Sequence, residues 1–200
     1  MSTVLITAFE PYDEFEENSS WLALVELVRE MPSQPQVTTR LYPVDLAAVK
    51  ERLAGDLREG YDFAIHTGQA PGRGTVLLEA VGVNVGRSDG RSADDCGVLA
   101  EDGPVAYRTA LPLARWAEML RKADIPARVS YHAGTYLCNA TLYLSHYLAE
   151  KTSLATRATF VHLPLDVTQV AHGSKDTASL PAETSARALR LLLGELDSNG

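Results

Sequence analysis

The chain has 200 residues, 46% of them hydrophobic and 22% charged, enough for a sizeable core and inconsistent with extended disorder. A formal net charge of -8 and a pI near 5.1 exclude a nucleic-acid partner, because phosphate binding needs clustered Lys and Arg. No apolar run approaches the roughly 20 residues that span a bilayer, and Met1-Ser2-Thr3-Val4-Leu5-Ile6 has no basic segment before a long apolar one, so a cytoplasmic protein is expected, not a membrane protein.

Short apolar runs alternate with stretches of helical periodicity, the pattern of an α/β protein around a mostly parallel sheet. A first strand is predicted over residues 3–8 and a helix over 20–31. A second strand, over 37–41, leads to a helix over 46–59. There Asp45 caps, Leu46, Val49, Leu53 and Leu57 share one face, and Gly60 stops the helix. Strands over 63–67 and 76–85 follow, then a helix over 113–123, a strand over 127–131, a helix over 139–150, a strand over 159–163 and a helix over 181–196. Pro112 and Pro181 suit first-turn positions, where a missing amide donor costs little. The stretches 86–103 and 167–178 read as functional loops beside a site at the carboxyl ends of the strands. No repeat or low-complexity linker divides the chain, so a single domain over residues 1–200 is expected.

The two cysteines, Cys96 and Cys138, are too few for a disulfide framework and form no metal-ligand spacing with the five histidines. Cys138 follows a strand and a turn, Val129-Ser130-Tyr131-His132-Ala133-Gly134-Thr135-Tyr136-Leu137, and opens a helix. Free amides and the helix dipole at such a position favour a thiolate and could hold an oxyanion formed by its attack on a carbonyl. On position alone an inert packing thiol is the commoner outcome. Two partners shift the balance. His162, in Phe160-Val161-His162-Leu163-Pro164, ends an apolar strand, although a lone histidine there is more often structural. Glu79 lies inside the apolar run Val76-Leu77-Leu78-Glu79-Ala80-Val81, where an unpaired charge would cost several kcal/mol. It needs a partner: an Arg in the bland reading, His162 in a Cys-His-Glu triad. Cys96, among Asp94 and Asp95, is a poor nucleophile, and His66, His132, His146 and His172 read as structural or surface residues.

Several motifs, taken together and in order, resemble the pyroglutamyl peptidase type I family of cysteine peptidases. They are Phe9-Glu10-Pro11-Tyr12 with Asn18 and Trp21, His66-Thr67-Gly68-Gln69-Ala70, Glu79 with Asn84, Glu101-Asp102-Gly103-Pro104 with Ala106-Tyr107, Ile125-Pro126-Ala127, Ala133-Gly134-Thr135-Tyr136-Leu137-Cys138-Asn139, and Val161-His162-Leu163-Pro164. The resemblance implies a three-layer α/β/α sandwich, removal of N-terminal pyroglutamate (5-oxoproline) from peptides without metal or cofactor, and a homo-oligomer, dimer or tetramer. It maps the nucleophile to Cys138, the base to His162 and the acid to Glu79. It places Phe9 and Tyr12 on either side of the lactam ring, with Gln69, Asn18 and Leu137 beside it. A flat lactam with apolar methylenes, one N–H and one C=O suits an apolar slot with few polar groups. On the residues alone, Phe9 and Tyr12 could equally be core and Gln69 a turn residue.

The chain departs from the family in four places. Asp13 and Glu14 stand where two glycines are usual, and they enter positive φ less readily. Tyr12 replaces a common Phe, the loop after Asn84 is shorter, and the family's loop arginine has only Arg87 or Arg91 as counterpart. Two alternatives stay open at this stage: a cysteine amidase of another specificity, and a catalytically silent binding protein on the same fold.

Overall fold

A computed structural model describes residues 1–87, 95–171 and 176–197. The strands are β1 (Thr3–Phe9), β2 (Gln36–Tyr42), β3 (Phe63–Gln69), β4 (Val76–Glu79), β5 (Val81–Val83), β6 (Ala106–Arg108), β7 (Ala127–Ser130) and β8 (Arg157–Leu163). The helices are α1 (Ser19–Arg29), α2 (Leu46–Leu57), α3 (Leu113–Lys122), α4 (Leu137–Lys151), α5 (Val167–Val170) and α6 (Ala182–Asp197). The main sheet has the order β2-β1-β3-β8-β4-β7, parallel from β2 through β8. Strand β4 runs antiparallel to β8 and parallel to β7.

Side chains alternate across a strand, and that alternation builds two cores. Val4, Ile6, Phe63, Ile65, Val161 and Leu163 pack against Leu24 and Leu27 of α1, Trp116 and Leu120 of α3, and Leu189 and Leu192 of α6. Leu5, Phe9, Ala64, Ala158 and Phe160 point the other way, onto Val49, Leu53 and Leu57 of α2 and Leu142 and Leu144 of α4. The expected mostly parallel three-layer α/β/α arrangement is therefore present. His162 lies two residues beyond Phe160, so strand geometry puts it on the α4 side.

The expected helix over 46–59 forms as α2: the Asp45 side chain accepts from the Ala48 amide at 2.7 Å, and Gly60, at φ 83, follows its end. Pro112 is the residue before α3 and Pro181 the residue before α6, each one position earlier than a first-turn site.

The largest correction concerns the strand expected over 76–85. It breaks at Ala80 into β4 in the main sheet and β5, which pairs antiparallel with β6 in a separate two-stranded sheet. The apolar run conceals the break because β5 is covered by α4 instead of by sheet neighbours. A side chain on Gly82 would come within 2.8 Å of the Tyr143 backbone nitrogen, so only glycine lets the chain lie against the helix there. Asn139, fully buried in the first turn of α4, clamps β5 from below: its Oδ1 accepts from Val83 N, and its Nδ2 donates to the carbonyls of Val83 and Val85.

The stretches expected as loops contain some order. Asn84 staples residues 99–103 through four hydrogen bonds, two accepted and two donated. In the other, Asp166 and Gln169 form a capping box around α5. Residues 88–94 and 172–175, including Arg91 and His172, lie outside the described residues. Among the described residues no helix is long and apolar enough to cross a membrane.

Candidate active site

Six residues separate β3 from β4, too few for the crossover that a parallel return requires, so the chain turns back and β4 runs against β8. Leu77 then sits opposite His162 and Glu79 opposite Phe160. Glu79 and His162 become diagonal neighbours on one sheet face, a separation of about 7–8 Å between backbones that long side chains bridge. They do so here: His162 Nδ1 lies 2.8 Å from Glu79 Oε1. The acid thus comes from a strand opposed to the histidine's own.

The turn after β7, with Gly134 at φ 81, delivers the chain into α4. Tyr136 precedes the first helical residue, and no side chain caps the amides of that first turn. Cys138 occupies its second position, one residue earlier than the sequence-predicted helix start. Its sulfur lies near enough to His162 to act on the ring's ionisation. Burial alone would push the His162 imidazolium down, but the charge and hydrogen bond of Cys138, with those of Glu79, outweigh it and hold the ring's pKa up at about 10. The imidazole therefore lies between the Cys138 sulfur and the Glu79 carboxyl, and its protonated form is favoured there. Glu79 is fully buried and its Oε2 has no hydrogen-bond partner, so its charge is answered by His162. Phe160 packs over the imidazole with ring centroids 4.9 Å apart.

Gly68 on β3 lies opposite His162. A Cβ there would fall 2.8 Å from Phe160 Cζ and 3.2 Å from Cys138 Sγ. Gly68→Ala is therefore expected to cost about 1–3 kcal/mol and to displace the sulfur. Thermal unfolding measures the first effect and the rate of Cys138 alkylation the second; unchanged values for both would mean the neighbours yield freely.

Cys138 opens onto a small pocket of about 40 Å³, lined also by Phe9, Tyr12, Asn18, Val44, Gly68, Gln69, Tyr136 and Leu137. All five residues expected beside the ring meet there. Their polar atoms differ in availability. Asn18 caps α1: its Oδ1 accepts from Ser20 N and Oγ, and its Nδ2 donates to Glu10 O. Its polar groups are thus spent on holding the 10–18 loop. Gln69 accepts through Oε1 from Ser19 N and from Gln169 Nε2, whereas its Nε2 is buried without a partner. Burial pushes the Tyr12 hydroxyl up, opposed in part by the Gln69 amide facing it.

Asp13 does adopt the left-handed region, at φ 57, so the loop keeps the backbone a glycine would favour despite its side chain. Arg87 lies against a residue of the pocket lining: its guanidinium is 5.0 Å from the centroid of the Tyr136 ring. Val44 was not legible as a pocket residue, since no motif or charge marks it, and Gly68 and Tyr136 lie within the resembling motifs but were assigned no place in the pocket.

Among the other histidines, His66 is fully buried between Thr7 Oγ1 and Ser145 Oγ, each at 2.8 Å. Ser145 donates to Thr141 O, so it accepts from His66 Nε2–H and Thr7 donates to Nδ1. Burial pushes His66 down to about 3, leaving it neutral. His132 is exposed, and His146 stacks on Tyr107. Among the described residues no three His, Cys, Asp or Glu side chains converge to hold a metal ion.

Residues 2–195 match the family model described as pyroglutamyl peptidase. Similar chains include the pyrrolidone-carboxylate peptidases of Cupriavidus pinatubonensis, 37% identical over 95% of this chain and 90% of that one, and of Thermococcus kodakarensis, 35% identical over 95% and 93%. Similar solved structures include the pyrrolidone carboxyl peptidase of Fervidobacterium islandicum, with TM-score 0.92 and 32% identity over 99% of both chains. That of Thermococcus litoralis has TM-score 0.88 and 28% identity over 100% of this chain and 94% of that one. With the family match running nearly end to end and the fold shared over its full length, the chain belongs to the pyroglutamyl peptidase family.

Proposed function

We propose that the protein is a cysteine omega-peptidase that removes pyroglutamate from the N-terminus of peptides, acting in the cytoplasm as a homodimer or homotetramer. The observation that carries this reading is the shared pocket, where Cys138 stands at the mouth of a slot walled by Phe9, Tyr12 and Leu137. A five-membered lactam presents two flat apolar faces to such walls, and its ring carbonyl can accept from the otherwise unpartnered Gln69 Nε2.

In this mechanism Cys138 Sγ attacks the carbonyl carbon linking pyroglutamate to the next residue. The oxyanion that forms faces the first-turn amides of α4, which no side chain caps. His162, already protonated, gives its proton to the departing amine as the C–N bond breaks, leaving a thioester. The neutral imidazole then takes a proton from water, whose oxygen attacks the thioester. Pyroglutamic acid leaves and the thiolate–histidinium pair is restored. Glu79 holds the ring through Nδ1, so Nε2 is the nitrogen that serves the reaction.

A pyroglutamyl fluorogenic amide should be cleaved at least about 100-fold faster than its prolyl and alanyl analogues, because the prolyl ring lacks the carbonyl that Gln69 recognises. Initial rates on the three compounds test this. Preferential cleavage of the prolyl or alanyl amide would point to an amidase of other specificity, and cleavage of none to a silent protein on the same fold.

A further inference from the structure

We propose that Gln169, on α5 and separated from Gln69 by a hundred residues of sequence, is a positioning residue that fixes which way the Gln69 side-chain amide points. This inference rests on the assignment of Gln69 to the substrate ring. An amide side chain can present oxygen or nitrogen to either side with little change in shape, so its orientation must be imposed by neighbours of unambiguous polarity. Backbone groups impose it here. Gln169 Oε1 accepts from the Asp166 backbone amide at 2.8 Å, and its Nε2 donates to the Glu17 carbonyl at 2.9 Å, which settles the Gln169 amide. The same Nε2 donates to Gln69 Oε1 at 3.1 Å. The Ser19 backbone amide donates to that oxygen at 3.1 Å as well.

Gln69 Oε1 is thus held by two donors, and Nε2 is turned away from both toward the pocket wall beside Tyr12. A flip would set that nitrogen against two donors, the Ser19 amide and Gln169 Nε2, and Gln169 is the one of the two that a side-chain substitution removes. The consequence is a site preset to recognise a carbonyl oxygen on the ring, and the selectivity for 5-oxoproline over proline depends on a residue outside the pocket lining.

A double-mutant cycle with the whole chain tests this. Gln169→Ala and Gln169→Glu should each lower kcat/KM for a pyroglutamyl amide by about tenfold, chiefly through KM, the loss of one well-made hydrogen bond's worth of orientation. Gln169→Glu keeps the acceptor for Asp166 N and so guards against simple loss of the α5 turn. Alkylation of Cys138 by iodoacetamide should stay within about twofold, since the thiolate is not involved. In a Gln69→Ala background, Gln169→Ala should change kcat/KM by no more than about twofold, because there is no amide left to orient. Full multiplication of the two effects, or a parallel fall in alkylation, would overturn the positioning role while leaving the proposed activity intact. Failure of the unsubstituted protein to cleave the pyroglutamyl amide would overturn both.

Discussion

Cys138→Ala is expected to reduce hydrolysis of a pyroglutamyl amide by at least about 10⁴-fold, with the unfolding temperature shifted by only a few degrees. The size of the effect follows from the proposed role of Cys138 as nucleophile: its Sγ lines the pocket, acts on the ionisation of His162 and sits in a first helical turn whose N-cap residue makes no side-chain cap. The small effect on stability follows from its position, since the side chain is only part-buried and lies at the edge of the α4 core. In the intact protein the same sulfur should alkylate faster than a free thiol near neutral pH, whereas Cys96 should not. Equal alkylation rates for Cys138 and a model thiol, or activity that survives Cys138→Ala, would remove the nucleophile from the mechanism.

Glu79→Gln should lower kcat by about 10³–10⁴-fold while costing only about 1–2 kcal/mol of stability. The shape is conserved and the Gln oxygen can still accept from His162 Nδ1. The second atom takes the place of Oε2, which has no partner to lose. What disappears is a negative charge that helps hold the imidazolium. The pH profile makes this visible. The reaction needs His162 protonated when the amine departs, and its pKa lies at about 10, above the ordinary 6.5. In the intact protein kcat/KM should therefore pass through pH 6.5 without loss of the protonated ring and fall as pH approaches 10. Removing a charge that favours the protonated ring lowers its pKa, so Glu79→Gln should move the alkaline limb to lower pH. A substitution that destabilises the fold and lowers kcat to the same degree, with the limb unmoved, would make Glu79 a structural carboxylate.

Much of this organisation was legible in the sequence because it depends on local rules. The 3.6-residue apolar spacing and Asp45 define α2, and short apolar runs mark β1, β3 and β8, which are buried on both faces. The buried charge at Glu79 announced a partner by its cost alone. Less legible was the region from 76 to 85, where an unbroken apolar run covers two strands in different sheets. Such a run records burial and not which neighbour provides it, so the separation at Ala80 and the cover of α4 over Gly82 leave no periodic trace.

By itself the sequence determined the α/β class, the placing of His162 at the end of an apolar strand, and the placing of Cys138 at a helix start. Only the tertiary structure decided that Glu79 reaches His162 diagonally from an antiparallel strand, and that Gln69 meets Gln169. The division has one physical cause: periodicity and capping act within a few residues, whereas strand register and hydrogen-bond orientation depend on groups brought together from 80 to 150 positions apart.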